Sequence, residues 1–187
     1  MNDAHKKFLR LPKKHAAAVA GAEPVDGAQL LRQQSIPNAI YAALTIVIVF
    51  SILWAMMSTL TNRIFPWMTL VLGVFIGLGI RRAGHGLDWR FPALAAAIAV
   101  AGALISNIVV AASFTAAALE TSTFTVLRAV TVMTWPVFFA EALSSADVVY
   151  ALFAAAIAAF YANRRLSRAE FHAVRNWQQE KIDAGQD

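Results

Sequence analysis

The feature that most constrains this chain is the stretch of residues 92–119, which contains no charged side chain and is rich in Ala, Ile and Val. At about 1.5 Å of rise per residue, a helix of that length crosses a hydrocarbon core of about 30 Å. Of the whole chain, 59% is hydrophobic and 14% is charged, against about 45–50% and about 25% in soluble domains. Since so few charges do not cover a soluble core, the sequence predicts an integral membrane protein.

Three further apolar segments predict an all-α fold with four transmembrane helices. Residues 38–60 are uncharged and of spanning length, whereas residues 64–80 stand at the lower limit of about 17 residues. The last apolar run reaches spanning length over residues 143–162, provided that Asp147 lies at the membrane surface. The predicted transmembrane domain, residues 38–162, therefore has spans at about 38–60, 64–80, 92–119 and 143–162.

Residues 129–140 form a shorter apolar segment between Arg128 and Glu141. As a helix they reach only about 18 Å, which is too short to cross the membrane. We expect a short helix on the outer face, anchored by Trp135 and bent at Pro136. The sequence leaves open whether this helix is re-entrant or lies flat at the interface.

The distribution of basic residues predicts the orientation. With four spans, 14 of the 16 Lys and Arg residues lie on one side, and only Arg63 and Arg128 lie on the other. The basic side is normally cytoplasmic, so both termini are predicted to be cytoplasmic. Residues 1–37 then form a basic arm. Residues 163–187 form a helical tail that either continues the fourth span or packs on the membrane or a neighbour.

Several side chains outside the spans are candidates for contact with anionic lipid or a partner. In the arm these are Lys6, Lys7, Lys13 and Lys14. Trp135 is a further candidate on the outer face, where Trp54 and Trp67 are also expected because Trp prefers the headgroup level. Nucleic-acid binding is not expected. Nor is signal cleavage, because the alanine run after His15 is too weakly apolar.

Small residues at four-residue spacing predict where helices pack together in a membrane. The predicted packing residues are Gly73, Gly77, Ala99, Gly102, Asn107 and Ala155. Both the seams of one bundle and an interface between copies fit this pattern. The Asn107 amide, near the centre of its span, needs a partner. That partner is either a Ser or Thr of a neighbouring helix or a bound quinone, pigment or substrate.

The segment between the second and third spans contains candidates for contact with lipid phosphate or an acidic partner. They are Arg81, Arg82, Gly84, His85, Gly86 and Arg90. We expect Gly84 and Gly86 to adopt positive φ in a tight turn. His85 and Asp88 stand at metal-ligand spacing, but two ligands are weak evidence, and no metal or cofactor is expected. The segment also lacks the Gly-Lys-Ser/Thr ending of a phosphate-binding loop.

A longer motif joins these glycines to the third span through Gly77, Arg81, Gly84, Gly86, Gly102 and Asn107. This G-x-x-x-R-x-x-G-x-G run with its following helix resembles a pattern in small bacterial inner-membrane proteins of unassigned function. The resemblance covers residues 77–107 and implies a bacterial setting and a helix–loop–helix unit, without an activity. Where such proteins often have a glycine just before the asparagine, this chain has Ser106, which is also small.

No catalytic constellation is visible in the predicted spans. Their centres contain no Asp, Glu, Lys, Arg or His, which argues against haem ligation by a histidine pair, a proton relay or an activated nucleophile within one copy. We therefore expect a non-enzymatic accessory or structural subunit of a bacterial inner-membrane complex. The alternatives are a homo-oligomeric pore or small carrier and an intramembrane or lipid-modifying enzyme. Expected partners are membrane lipids and other membrane subunits or further copies of this chain.

Overall fold

A computed structural model describes residues 27–130, 134–163 and 166–185. The helices in this part of the chain are α1 (Gly27–Arg32), α2 (Ile36–Thr61), α3 (Met68–Gly84), α4 (Arg90–Ala118), α5 (Thr123–Ala129), α6 (Trp135–Ala142), α7 (Ser145–Ala162) and α8 (Arg168–Ala184). No described residue is in a β-strand, so the all-α prediction is confirmed for these ranges. Within the same ranges, α2, α4 and α7 are long and apolar enough to span a membrane.

The described helices fall into two units, one with α1 and α8 and one with α2 to α7. In the first unit, Gly27 lies against the backbone of Ala173, so the two helices approach closely. α8 begins with its own capping box, in which Ser167 N donates to the Glu170 carboxylate at 2.8 Å. α7 ends before Asn163, whose backbone is extended. The tail helix is therefore separate from α7 and does not continue it.

Two of the long helices end in the same motif. Asn62 after α2 has φ 50°, and Glu120 at the end of α4 has φ 51°. Their N–H groups donate to the carbonyls of Thr59 and Ala117 at 3.3 Å and 3.4 Å, and in each case the following residue donates five positions back. This is the Schellman arrangement, which satisfies the last carbonyls of a helix.

The second apolar segment forms a helix with later bounds than predicted. α3 covers Met68–Gly84 rather than residues 64–80, because a turn around Pro66 precedes it. Arg81 and Arg82 do not end the helix but lie in its last turn, where basic side chains interact favourably with the helix dipole. A charged residue therefore limits an apolar span without ending the helix.

α7 also begins later than the predicted residue 143. Ser144 caps it by accepting a hydrogen bond from Asp147 N at 3.3 Å, and the Asp147 carboxylate accepts one from Ser144 N at 2.9 Å. Such a box satisfies exposed N–H groups at a helix start and places an acidic group beside the positive end of the dipole. The polar pair thus sets the first residue of the helix.

The predicted helix at residues 129–140 is wrong in its bounds. α5 ends at Ala129, Val130 has extended backbone, and α6 begins at Trp135, while residues 131–133 lie outside the described ranges. Pro136 does not bend a helix here. It lies in the first turn of α6, where the missing N–H of proline leaves no bond unmade.

The long helices of the second unit alternate in direction along the chain. α2 and α4 are parallel to each other, and α3 and α7 are parallel to each other and opposite to the first pair. The contacts that set these directions are Ala39–Gly84 and Ile46–Gly79 for α2 with α3, Val47–Gly102 and Ser51–Ser106 for α2 with α4, and Gly73–Ala154 and Gly77–Ala158 for α3 with α7.

The neighbours of each helix place the core. α3 and α4 contact each other and both contact α2 and α7, whereas the described residues of α2 and α7 do not meet. α3 and α4 therefore form the short diagonal of a four-helix bundle. Leu72, Ile76 and Ile80 of α3 are fully buried there, while Ile48 of α2 and Phe160 of α7 are more than half exposed. The outer faces of the bundle are thus apolar.

Candidate functional site

Polar side chains are concentrated inside one half of the bundle, in a set that we name the polar layer. Its members are Ser51, Trp54, Ser58, Thr69, Ser106 and Asn107, and each is at least nine-tenths buried. Trp54 and Ser58 share the inner face of α2 with Ser51, because residues three and four apart lie on one side of a helix. Met68, next to Thr69, packs on the Trp54 cluster, which places Thr69 at the same level.

One hydrogen bond crosses between helices in the polar layer. Ser51 Oγ donates to the Val47 carbonyl at 2.6 Å, and the Ser106 hydroxyl lies 2.7 Å from Ser51 Oγ. Since the Ser51 proton is already used, Ser106 donates to Ser51. The pair joins α2 to α4 through buried, neutral groups.

Asn107 does not make the predicted bond to a Ser or Thr of a neighbouring helix. Its Nδ2 has no hydrogen-bond partner among the described residues. Asn107 follows Ser106 by one position, which is about 100° around a helix of 3.6 residues per turn. Ser106, and not Asn107, therefore faces the hydroxyl on α2.

Three other polar atoms of the layer share this condition. Trp54 Nε1, Ser58 Oγ and Thr69 Oγ1 are buried and have no hydrogen-bond partner within the described part of the chain. Buried polar groups are nearly always hydrogen-bonded, because leaving one unpaired costs roughly 1–3 kcal/mol. Chemically, the layer offers neutral donors and acceptors in an apolar setting. None of its members is an acid or base that titrates near neutral pH, so the layer itself contains no general base for its hydroxyls.

The position of Trp54 differs from the one predicted for it in the aromatic belt. It was expected at the headgroup level, but its side chain is 0% exposed and packs with Ala55 and Val110 inside the bundle. Trp67 and Trp135 are about half exposed, and Trp135 packs against Phe139 with ring centroids 4.4 Å apart. Trp54 shares a helix face with Ser51 and Ser58, and this spacing was the available signal for an inward position.

The predicted packing glycines lie at close contacts between helices. A Cβ atom on Gly73 would be 2.5 Å from the Ala154 carbonyl oxygen, and one on Gly77 would be 2.7 Å from that of Ala158. On α4, a Cβ on Gly102 would be 2.8 Å from Val47 Cγ2. Ala99 and Ala155 are also buried inside the bundle, at 0% and 8% exposed. The structure thus places this set inside one bundle.

The expectation of positive φ at Gly84 and Gly86 is wrong. His85 between them takes the left-handed conformation, with φ 50°, and neither glycine does. The glycines instead make room for the Phe91 ring, since a Cβ on either would overlap it. The close approach of the Phe91 ring therefore accounts for both glycines. His85 is the residue of the turn that adopts the strained left-handed conformation.

Two hydrogen bonds join the loop to the residues just before α2. Ser35 N donates to the Gly84 carbonyl at 3.0 Å, and Leu87 N donates to Gln34 Oε1 at 3.4 Å. Around this fixed turn, Arg81 is half-buried, and the side chains of Arg82, His85, Asp88 and Arg90 are exposed. The loop presents a basic surface to solvent or to lipid headgroups. The described residues contain no group of three or more His, Cys, Asp or Glu that can hold a metal ion.

The lysines of the arm, Lys6, Lys7, Lys13 and Lys14, lie outside the described residues. At the opposite end of the bundle from the loop, Ser122 caps α5 by accepting a hydrogen bond from Thr125 N at 3.1 Å.

Comparisons with protein-family models, with curated proteins and with solved structures give no match for this chain. The function is therefore argued from the geometry of the bundle.

Proposed function

We propose that α2, α3, α4 and α7 are the four crossing helices of a multi-pass membrane domain. The alternating directions of these helices support four crossings. With 17 residues α3 stands at the lower limit for a span, but Gly73 and Gly77 lie against Ala154 and Ala158 of α7. A helix that packs on α7 over about one turn between these contacts, and that also contacts α2 and α4, lies in the same layer of the membrane. The exposed apolar faces of α2 and α7 then contact lipid.

We further propose that both termini are cytoplasmic and that the membrane is a bacterial inner membrane. The charge asymmetry of 14 basic residues against two supports the orientation. The resemblance over residues 77–107 supports the bacterial setting. In this orientation the basic loop after α3 faces the cytoplasm, and α5 and α6 lie at the outer interface, each too short to cross.

Our proposed biochemical role is that of an accessory or structural subunit of a membrane complex. One observation carries it: the buried polar side chains described in the bundle are those of Ser, Thr and Asn together with the Trp54 indole, and glycines lie at close contacts between helices. Such an interior holds helices together without acid–base, redox or metal chemistry of its own. The chemistry of the complex would then belong to a partner.

Native mass spectrometry after extraction in a mild detergent tests the role. Because the chain has a mass of 20.2 kDa, a heteromeric complex has a mass that no integer multiple of this value explains. A reproducible heteromer supports the accessory role. Only monomer, or only integer multiples, would contradict it.

A homo-oligomeric pore is a second candidate, because the apolar outer faces of α2 and α7 are open to further copies of this chain. Symmetric copies can supply a polar path that one copy lacks. This candidate predicts a closed homo-oligomer together with ion or solute flux in reconstituted vesicles. A monomer, or an oligomer without flux, would exclude it.

The topology has a sharp test, because the chain contains no cysteine. Single cysteines at exposed Asp88 and exposed Phe124 report on the two ends of the bundle when a membrane-impermeant maleimide is added to whole cells. Phe124→Cys should be labelled in intact cells, and Asp88→Cys only after permeabilisation. Labelling of Asp88→Cys in intact cells would overturn the proposed orientation.

A further inference from the structure

A groove of about 390 Å³ lies between α2 and α4, at the end of the bundle where both helices finish. Its volume falls in the range of about 300–1,000 Å³ typical of ligand sites. Thr121, in the segment after α4, and Thr123, the first residue of α5, complete its wall. Because α5 packs back on Ala112 and Ala116 of α4 through Val126, this end of the groove is held in place.

The lining of the groove changes from apolar to polar along the helix axis. The deeper part is formed by Ile52, Met56 and Val109, and the end part includes the hydroxyls of Thr59, Ser113, Thr121 and Thr123. Ile52 and Met56 are more than half exposed, so this wall is open to whatever surrounds the bundle. An apolar depth with a polar end has the polarity of one lipid leaflet.

Hydrogen bonds fix how the polar end can interact. Thr59 Oγ1 donates to the Ala55 carbonyl at 3.0 Å, Ser113 Oγ donates to the Val109 carbonyl at 2.7 Å, and Thr123 Oγ1 donates to Ser113 Oγ at 3.3 Å. The protons of these hydroxyls are used, while each hydroxyl oxygen keeps acceptor capacity. The polar end therefore suits a ligand that carries N–H or O–H donors.

We propose that this groove binds one acyl chain of a glycerophospholipid whose headgroup carries such donors, with the headgroup at the threonine end. The proposal rests on the proposed function, because lipid reaches the groove only if α2 and α4 cross a membrane. Both helices are long and apolar enough to do so. Hydrocarbon fills the apolar depth without leaving polar atoms unpaired, and ethanolamine or glycerol donors meet the hydroxyl oxygens.

The test compares two neighbouring alanines at the end of α4. Ala117 lines the groove, whereas Ala118 is also exposed but does not line it. The full chain is reconstituted in nanodiscs of phosphatidylethanolamine and phosphatidylglycerol, and lipid retained after transfer to detergent is counted by native mass spectrometry. We expect one retained phospholipid per chain in the parent and in Ala118→Leu. In Ala117→Leu we expect about tenfold less, which corresponds to about two displaced methylene groups.

The polar end is tested with Thr121→Val, which keeps the side-chain shape and removes the hydroxyl. Thr115→Val, at an exposed threonine outside the groove, is the control. We expect Thr121→Val to weaken retention and Thr115→Val to leave it unchanged. Equal retention in Ala117→Leu and Ala118→Leu, or no retained phospholipid in the parent, would overturn the proposal.

A carbonate wash of the membranes separates this failure from failure of the proposed function. A chain that stays in the washed membrane, but retains lipid equally in all variants, refutes only the groove. A chain released by the wash is not an integral membrane protein, and both proposals then fall.

Discussion

The bundle contains two parallel helix pairs that are held together in different ways. In the α3–α7 pair, Gly73 and Gly77 allow the backbone of one helix to approach that of the other. In the α2–α4 pair, the hydroxyls of Ser51 and Ser106 share a hydrogen bond, and farther along the same pair a groove separates the helices. Backbone contact leaves no room between two helices, whereas a side-chain bond fixes one level and allows the ends to part.

This difference assigns separate tasks to the two pairs. Without a hydrophobic drive between helices in lipid, small residues and polar side chains are the two means of association. The glycine contacts bring the backbones of α3 and α7 close together and so position the short α3. The hydroxyl contact keeps α2 and α4 in register while a ligand-sized space remains at their ends.

The largest expected effect is in the glycine pair. Gly73→Ala places a methyl group against the backbone of Ala154, which cannot move without shifting α7, so we expect a loss of about 1–3 kcal/mol in stability. Gly79→Ala is the matched control, because its methyl meets only the flexible end of Ile46. Thermal unfolding in detergent decides between them. Equal melting temperatures for the two variants would remove the basis of the comparison.

The next effect concerns Asn107, which lies in α4 beside the hydroxyl pair. Replacing an unpaired buried amide by an apolar side chain of similar size removes a desolvation penalty, so Asn107→Leu should stabilise the chain by about 1 kcal/mol. Asn107→Asp is the control and should destabilise it, because it introduces a buried charge. Melting temperatures in detergent measure both changes. Destabilisation by Asn107→Leu would mean that the amide contributes to stability and is not an uncompensated polar group.

The sequence predicted the helices of this bundle better than their orientations. Long apolar runs identify α2, α4 and α7, which are long and apolar enough to span a membrane. It did not predict which face of α4 meets α2, because a helix that is apolar all round has no polar side to mark the outside. For this reason the sequence predicts the interhelical bond at Asn107, whereas Ser106 makes it.

The misplaced ends and turns have a different cause. Charge marks the end of the second apolar segment, but the end of a helix depends on capping, so Arg81 and Arg82 are helical. The local sequence around Gly84 and Gly86 indicates a turn, whereas their contact with Phe91 at the start of α4 is visible only in the structure. Contacts between elements thus decide what a local pattern leaves open.

A smaller effect is expected from the hydroxyl pair itself. Interhelical hydrogen bonds in membranes contribute about 0.6 kcal/mol on average, so Ser106→Ala should lower stability by about that amount. Combined with Ser51→Ala, it should show a coupling energy of similar size, since the two side chains act through one bond. A double-mutant cycle of unfolding free energies measures the coupling. A value near zero would leave α2 and α4 held by packing alone, like α3 and α7.

The smallest effect concerns the turn that closes the α2–α4 groove. Glu120 adopts φ 51°, a left-handed conformation that favours glycine, whereas the matching position after α2 is Asn62, a residue that tolerates it better. We expect Glu120→Gly to stabilise the chain by about 0.5 kcal/mol, relief of the strain being partly offset by the greater freedom of glycine in the unfolded chain. Glu120→Ala removes the same charge but keeps the strain, so its melting temperature should not rise. If both variants stabilise the chain equally, removal of the charge rather than relief of the backbone is responsible. The left-handed conformation then costs Glu120 no more than it costs Asn62.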